Sequence, residues 1–312
     1  MLAKRRWNGQ LCRMGSLYDR AEELRLTTGS ARLSLSAMHI RRAAVGRRLL
    51  LLHGNPGSLD DFVALVPELD FAAEVLAIDL PGFGRSAAVA GRPSALTLGY
   101  LASVAFAAAD AYGWTKLEVI GHSHGAAVAQ AMAWGANPRL ESITLLGTLG
   151  SPAHASYRQL ALPGAGAAMF VVGKCLSLPG SKAWFRGLQR RIAARAFHPE
   201  PVPQAYLERT VDSMVAAPTM LRSMVRVALG EPCRALAANI TSITSKVAFV
   251  HGELDELVPP RHARRLHELH LAAGRTSTFT SVANAGHMLP LTHPELVAEC
   301  ARGAGAGRTT AG

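Results

Sequence analysis

The sequence predicts an α/β fold in which a mostly parallel central sheet carries helices on both faces and a helical unit is inserted late in the chain. Three observations predict it. Short apolar runs of strand length alternate with Ala- and Leu-rich helical segments from about residue 23 to residue 147. The alternation then gives way to about ninety residues of Gly/Pro punctuation and Arg- and Met-containing helical patterns, and it resumes at Lys246. With 312 residues, 49% of them hydrophobic and 18% charged, the chain buries a substantial core and is neither disordered nor collagen-like.

In chain order, RLSLSAMHI and RRLLLLHG read as strands. SLDDFVALVPEL reads as a helix, with Ser58 as its N-cap and Asp60 and Asp61 near its positive end. EVLAIDL, KLEVIGHS and ESITLLG are the next strands, separated by the helical LTLGYLASVAFAAADAYG and GAAVAQAMAWGA. The interruption holds two helical patterns, SKAWFRGLQRRIAARAF and VDSMVAAPTMLRSMVRVALG. After it come the strand KVAFVHGELD, a helix near PPRHARRLHELHLAAG, the strand STFTSVA and a last helix in HPELVAECAR. The implied division is a core of residues 23–150 and 241–301, a helical lid insertion of 151–240, a basic N-terminal segment of 1–22 and a tail of 302–312. Both ends are expected to be mobile because they offer little apolar surface to dock.

Formal net charge is +11, from 33 basic and 22 acidic side chains. Residues 1–48 hold eleven Lys/Arg against three Asp/Glu, and residues 151–245 hold eleven against four. Such charge invites anionic partners. A nucleic-acid module would add a recognition helix, aromatic stacking positions or an RNA-binding motif, and the sequence has none of these. No run reaches the ~20 apolar residues of a membrane span, and the basic start lacks the apolar stretch of a secretory signal. Cys12, Cys175, Cys233 and Cys300 are scattered without a C-x-x-C pair. A reducing cytoplasmic location follows as the expectation.

The chemistry concentrates at Gly121-His122-Ser123-His124-Gly125, a G-x-S-x-G run between a strand and a helix. That context forces the serine into a strained turn that lifts its hydroxyl above the sheet, and the two glycines leave room for close strand and helix approach. A serine hydroxyl is a weak nucleophile at neutral pH and needs a base oriented by an acid. Downstream, Asp255 lies just past a strand end and His287 lies in the loop after the next strand. Glu253 and Glu256 are acidic neighbours of the first, and His293, in what reads as a helix start, competes with the second.

On these residues the chain resembles the α/β-hydrolase superfamily, in its esterase, lipase and dehalogenase-like branch with a helical lid. The likeness covers about residues 25–300 and includes His53-Gly54-Asn55-Pro56-Gly57-Ser58, Asp79-Leu80-Pro81-Gly82-Phe83-Gly84-Arg85-Ser86 and the G-x-x-D-x-x-V-P run at Gly252, Asp255, Val258 and Pro259. It implies Ser123 as nucleophile, His287 as base and Asp255 as the acid in family register. It further implies that the backbone N–H groups of Asn55 and His124 form an oxyanion hole. Asp79 and Arg85 are expected to hold their loop in place rather than react. His122 is expected beneath the turn and His124 at the site.

The resulting expectation is a serine hydrolase that cleaves a carboxylic ester, or a related acyl bond, of a hydrophobic small molecule through an acyl-enzyme. A thioesterase, a C–C bond hydrolase or a cofactor-free haloperoxidase would share these motifs, and a non-catalytic basic binding protein is the rival from another class. No cofactor is implied. The His122/His124 pair has no third ligand at recognisable spacing, so no metal is expected. Met214, Met220, Met224, Phe170 and Trp184 either line an adaptable apolar pocket or form the core of the insertion.

Overall fold

The structure, a computed structural model, describes residues 15–28, 31–86, 96–150, 155–176, 178, 180–230 and 232–305. Among these residues, eight strands form one sheet: β1 (Glu22–Thr28), β2 (Ala31–Arg41), β3 (Arg47–Leu52), β4 (Ala72–Ile78), β5 (Leu117–His122), β6 (Leu140–Leu146), β7 (Lys246–Gly252) and β8 (Ser277–Val282), in the order β1-β2-β4-β3-β5-β6-β7-β8. From β4 to β8 every pairing is parallel, while β1 pairs antiparallel with β2 and β2 with β4. Here the sequence reading falls short, because EELRLTT is largely exposed and buries only Leu26. An edge strand with one wet face carries too few apolar residues to announce itself.

The central strands are apolar throughout because both faces are covered. In β3, Leu50 and Leu52 enter the core that includes α1 (Leu98–Ala111) and α2 (His124–Ala133), while Leu49 and Leu51 enter the opposite core. All four leucines are buried, each contributing about 1.5–3 kcal/mol of transfer free energy. Period-two alternation thus survives in direction although it vanishes from the hydropathy pattern.

Among the described residues, five longer helices follow β6 before β7 begins: α3 (Ala165–Cys175), α4 (Ser181–Phe197), α5 (Gln204–Ala216), α6 (Thr219–Leu229) and α7 (Pro232–Asn239), preceded by the short helix Ala155–Leu160. The single pattern read across residues 211–230 is two helices, α5 and α6, parted at Ala217-Pro218. The core resumes with α8 (Pro260–Ala272) against β7 and β8, and closes with α9 (Pro294–Gly305) against β6 and β7. No helix among the described residues is long and apolar enough to cross a membrane.

Three local expectations change. SLDDFVALVPEL forms two turns, Leu59–Phe62 and Leu65–Glu68, since Pro67 has no N–H to continue a helical ladder. The N-terminal segment does not float from residue 15 onward: Leu17 N–H and Ser16 Oγ–H donate to Asp60 at 2.7 and 2.9 Å, and Tyr18 Oη–H donates to Asp79 at 2.7 Å. Buried carboxylates need donors, and this segment supplies them. The last helix continues past residue 302 to Gly305. The expected mobility of residues 1–14 and 306–312 lies outside the described residues.

Candidate active site

Ser123 sits at the junction of β5 and α2 with φ 55° and ψ −113°, a conformation that costs a non-glycine residue about 1–3 kcal/mol. The flanking glycines permit it. A Cβ on Gly121 would lie 2.4 Å from the Gly125 carbonyl oxygen, and one on Gly125 would lie 2.0 Å from that of Leu52. The turn is tied down where Ser123 N–H donates to Leu146 O at 2.8 Å.

Asp255 and His287 meet although 32 residues separate them. His287 Nδ1 lies 2.6 Å from Asp255 Oδ2, so the ring donates there and turns its Nε2 elsewhere. Asp255 Oδ1 accepts the N–H groups of Leu257 and Val258 at 2.9 and 2.8 Å. A further donor comes from β7, because His251 Nε2 lies 3.2 Å from Asp255 Oδ2 and 2.8 Å from Val258 O. Burial alone would raise the Asp255 pKa, but the charge of His287 and the hydrogen bonds from His251 and His287 outweigh it and hold the group well below the usual carboxylate range. Neither Glu253, whose carboxylate accepts from Ser281, nor Glu256, which pairs with Arg195, approaches the histidine.

Ser123 and His287 line one cavity of about 70 Å³ with Gly54, Asn55 and Pro56 of the loop after β3, and with Gln189, Ile192, Ala193 and Ala196 of α4. A Cβ on Gly54 would lie 3.1 Å from that of Ser123, so this loop runs directly over the serine. His124 begins α2, where a backbone N–H has no partner within the helix. The Asn55 N–H donates to no described residue. His53 holds the loop as a neutral ring: Nε2 accepts the Leu80 N–H at 2.9 Å, Nδ1–H donates to Gly54 O at 2.8 Å, and burial lowers its pKa to about 4.

The two histidines of the turn exchange their expected places. His122 lines the cavity, and its Nε2–H donates to His287 O at 2.9 Å. Burial, reinforced by the neighbouring His287, lowers its pKa to about 3. The His124 ring is instead buried and stacked with Tyr157 at 6.3 Å between centroids; burial lowers its pKa to about 3 as well. No group of His, Cys, Asp and Glu among the described residues could hold a metal ion. Asp79 accepts from Leu59 N–H and Arg85 N–H, both at 2.7 Å, and Arg85 stacks over Tyr18.

Sequence reasoning missed His251, Gly147 and the role of His122. Gly147, at φ +52°, faces the base so closely that a Cβ there would lie 3.0 Å from His287 Nδ1. Its signal is weak, a glycine after a strand end. His251 has none beyond its place beside Gly252. Of the proposed pocket residues, Met214 and Met220 line a second cavity with Asp60 and Asp61, whereas Phe170 and Trp184 are exposed.

A model of the alpha/beta hydrolase fold matches residues 47–167, a span that contains β3 to β6 and the serine turn. The chain has the α/β-hydrolase fold. Among solved structures, the chain is similar to an α/β-hydrolase-fold protein from Burkholderia ambifaria, at TM-score 0.70 and 19% identity over 89% of this chain and 97% of that one. It is also similar to a thermophilic esterase from Thermogutta terrifontis, at TM-score 0.68 and 19% identity over 91% and 97%. Among curated proteins, 112 residues are 32% identical to the dihydrolipoyllysine-residue acetyltransferase component of the acetoin cleaving system of Cupriavidus necator. That match covers 36% of this chain and 29% of the relative's length.

Proposed function

We propose that the protein is a serine hydrolase that cleaves a carboxylic ester, or a related acyl bond, of a hydrophobic small molecule held between the core and the helical insertion, which acts as a lid. The observation that carries this reading is the 2.6 Å bond from His287 to Asp255 beside a cavity that Ser123 shares with the same histidine. An imidazole whose Nδ1–H is committed to a carboxylate leaves Nε2 as the nitrogen that can take a proton, the role of a general base.

His287 Nε2 takes the Ser123 hydroxyl proton as Oγ attacks the acyl carbon, and Asp255 stabilises the imidazolium that results. The carbonyl oxygen gains negative charge and is met by the backbone N–H groups of Asn55 and His124. The imidazolium returns its proton to the leaving oxygen, and the acyl group remains on Ser123. Water, deprotonated by the same histidine, then releases the acid. The apolar Ile192, Ala193 and Leu257 of the cavity favour an apolar acyl group and exclude competing water.

The test is labelling with a fluorophosphonate probe, together with turnover of chromogenic esters and thioesters of rising chain length, in wild type, Ser123→Ala, Asp255→Asn and His287→Ala. Loss of both labelling and turnover in Ser123→Ala is expected. Labelling that survives this substitution overturns the assignment.

A further inference from the structure

Helix α4 has two sides with different tasks. Phe185, Gln189, Ala193 and Ala196 are buried, and the last three line the cavity of Ser123 and His287. On the neighbouring side, Trp184, Leu188 and Ile192, spaced i, i+4 and i+8, are 59%, 38% and 45% exposed. Arg191 and Arg195 fall within the same arc of about 100° at helical spacing. An exposed apolar row on a helix of a water-facing protein marks an interaction site.

Ile192 joins the two sides, since it is both half-exposed and part of the cavity wall. The row therefore runs from the outer surface to the mouth of the candidate active site. The end of the same helix braces the base: Ala196 O accepts the N–H groups of His287 and Met288 at 2.8 and 3.2 Å. The cavity itself, about 70 Å³, is far below the ~300–1,000 Å³ that encloses a drug-sized ligand. A ligand of that size does not fit within it.

Charge selects the occupant. Residues 151–245 carry eleven Lys/Arg against four Asp/Glu, and Arg191 pairs with no described carboxylate. Elsewhere on the insertion Phe170 and Val171 are also exposed, with Lys174 and Arg222 placed over the Phe170 ring at 5.5 and 5.8 Å. Aromatic and aliphatic side chains interleaved with cations suit the boundary between anionic headgroups and acyl chains.

We propose that the Trp184-Leu188-Ile192 face of α4 docks on an anionic lipid surface, and that esters drawn from that surface reach Ser123 past Ile192. The second half rests on the serine hydrolase reading; the docking does not. The full chain, as wild type and as the Trp184→Gln/Leu188→Gln and Arg191→Gln variants, is sedimented with vesicles of phosphatidylcholine alone or mixed with phosphatidylglycerol. Wild type partitions onto the mixed vesicles with a blue-shifted tryptophan emission. The double variant loses at least about ten-fold in partitioning, since each of the two apolar side chains it removes is worth about that much on full burial. Arg191→Gln loses about five-fold on the mixed vesicles and nothing on phosphatidylcholine.

Equal partitioning of wild type and double variant overturns the proposal. So does a concentration-dependent dimer of wild type that the double variant abolishes without any vesicle binding, because a second copy would then cover the face. Esterase assays on the same wild-type sample separate the two readings: vesicle binding by wild type that hydrolyses no ester leaves the docking intact and removes the serine hydrolase.

Discussion

The carbonyl oxygen of Ala196, at the end of an insertion helix, accepts the backbone N–H of His287 at 2.8 Å. A residue of the insertion thus fixes the loop that carries the proposed base. Gly286 shows how close the approach is, since a Cβ there would lie 2.1 Å from His198 O. The position of the proposed base is thereby tied to that of the insertion.

Asp255→Asn keeps the shape of the acid but removes its charge, and the amide favours the wrong imidazole tautomer. A loss of about 10⁴ in kcat with KM little changed is expected, the size seen for the equivalent change in a well-studied protease. Steady-state kinetics on a soluble p-nitrophenyl ester measures it, and a loss below ten-fold would remove Asp255 from the proposed triad.

His251→Leu withdraws one donor from a buried carboxylate. A hydrogen bond to a charged group is worth about 1.5–3 kcal/mol, so the variant should unfold at lower urea, while His251→Gln, which can still donate, recovers part of the difference. Chemical denaturation of both variants at one pH provides the comparison. Equal stability of the two would show that the contact to Asp255 is not stabilising.

Asp61 is buried, and that burial raises its pKa to about 8 from an ordinary 3.8. The folded state therefore holds a proton that the unfolded state releases between pH 4 and pH 8, and stability falls as pH rises through that window. Asp61→Asn removes the dependence. Thermal melts should show a gain in Tm that is larger at pH 8 than at pH 5; a gain independent of pH would contradict the assignment.

Gly125 and Gly187 should respond oppositely to alanine. A Cβ on Gly125 meets the Leu52 carbonyl oxygen at 2.0 Å, whereas nothing lies within 4 Å of one on Gly187 in the middle of α4. Gly125→Ala is expected to yield insoluble or inactive protein. Gly187→Ala should stabilise by about 0.5–1 kcal/mol, read from a denaturant midpoint.

Much of the core was legible because its signals are local. Apolar runs such as LLLL in β3 and the glycines around Ser123 state their own constraints: a strand covered on both faces must be apolar throughout, and a serine at φ 55° needs neighbours without a Cβ. The first strand was not legible, since a half-wet edge strand carries little hydropathy signal. The helix expected at residues 58–69 failed because Pro67 breaks a ladder that the apolar spacing alone suggests.

By itself the sequence determined the alternation of strands and helices, the serine turn and the chain order Ser, Asp, His. Which of three nearby carboxylates reaches His287, that His122 rather than His124 turns toward the cavity, and that Trp184 faces outward were decided only by the tertiary structure. The reason is distance along the chain. Those choices depend on contacts such as His251 to Asp255, Ala196 to His287 and His122 to His287, made between segments whose relative placement no local periodicity encodes.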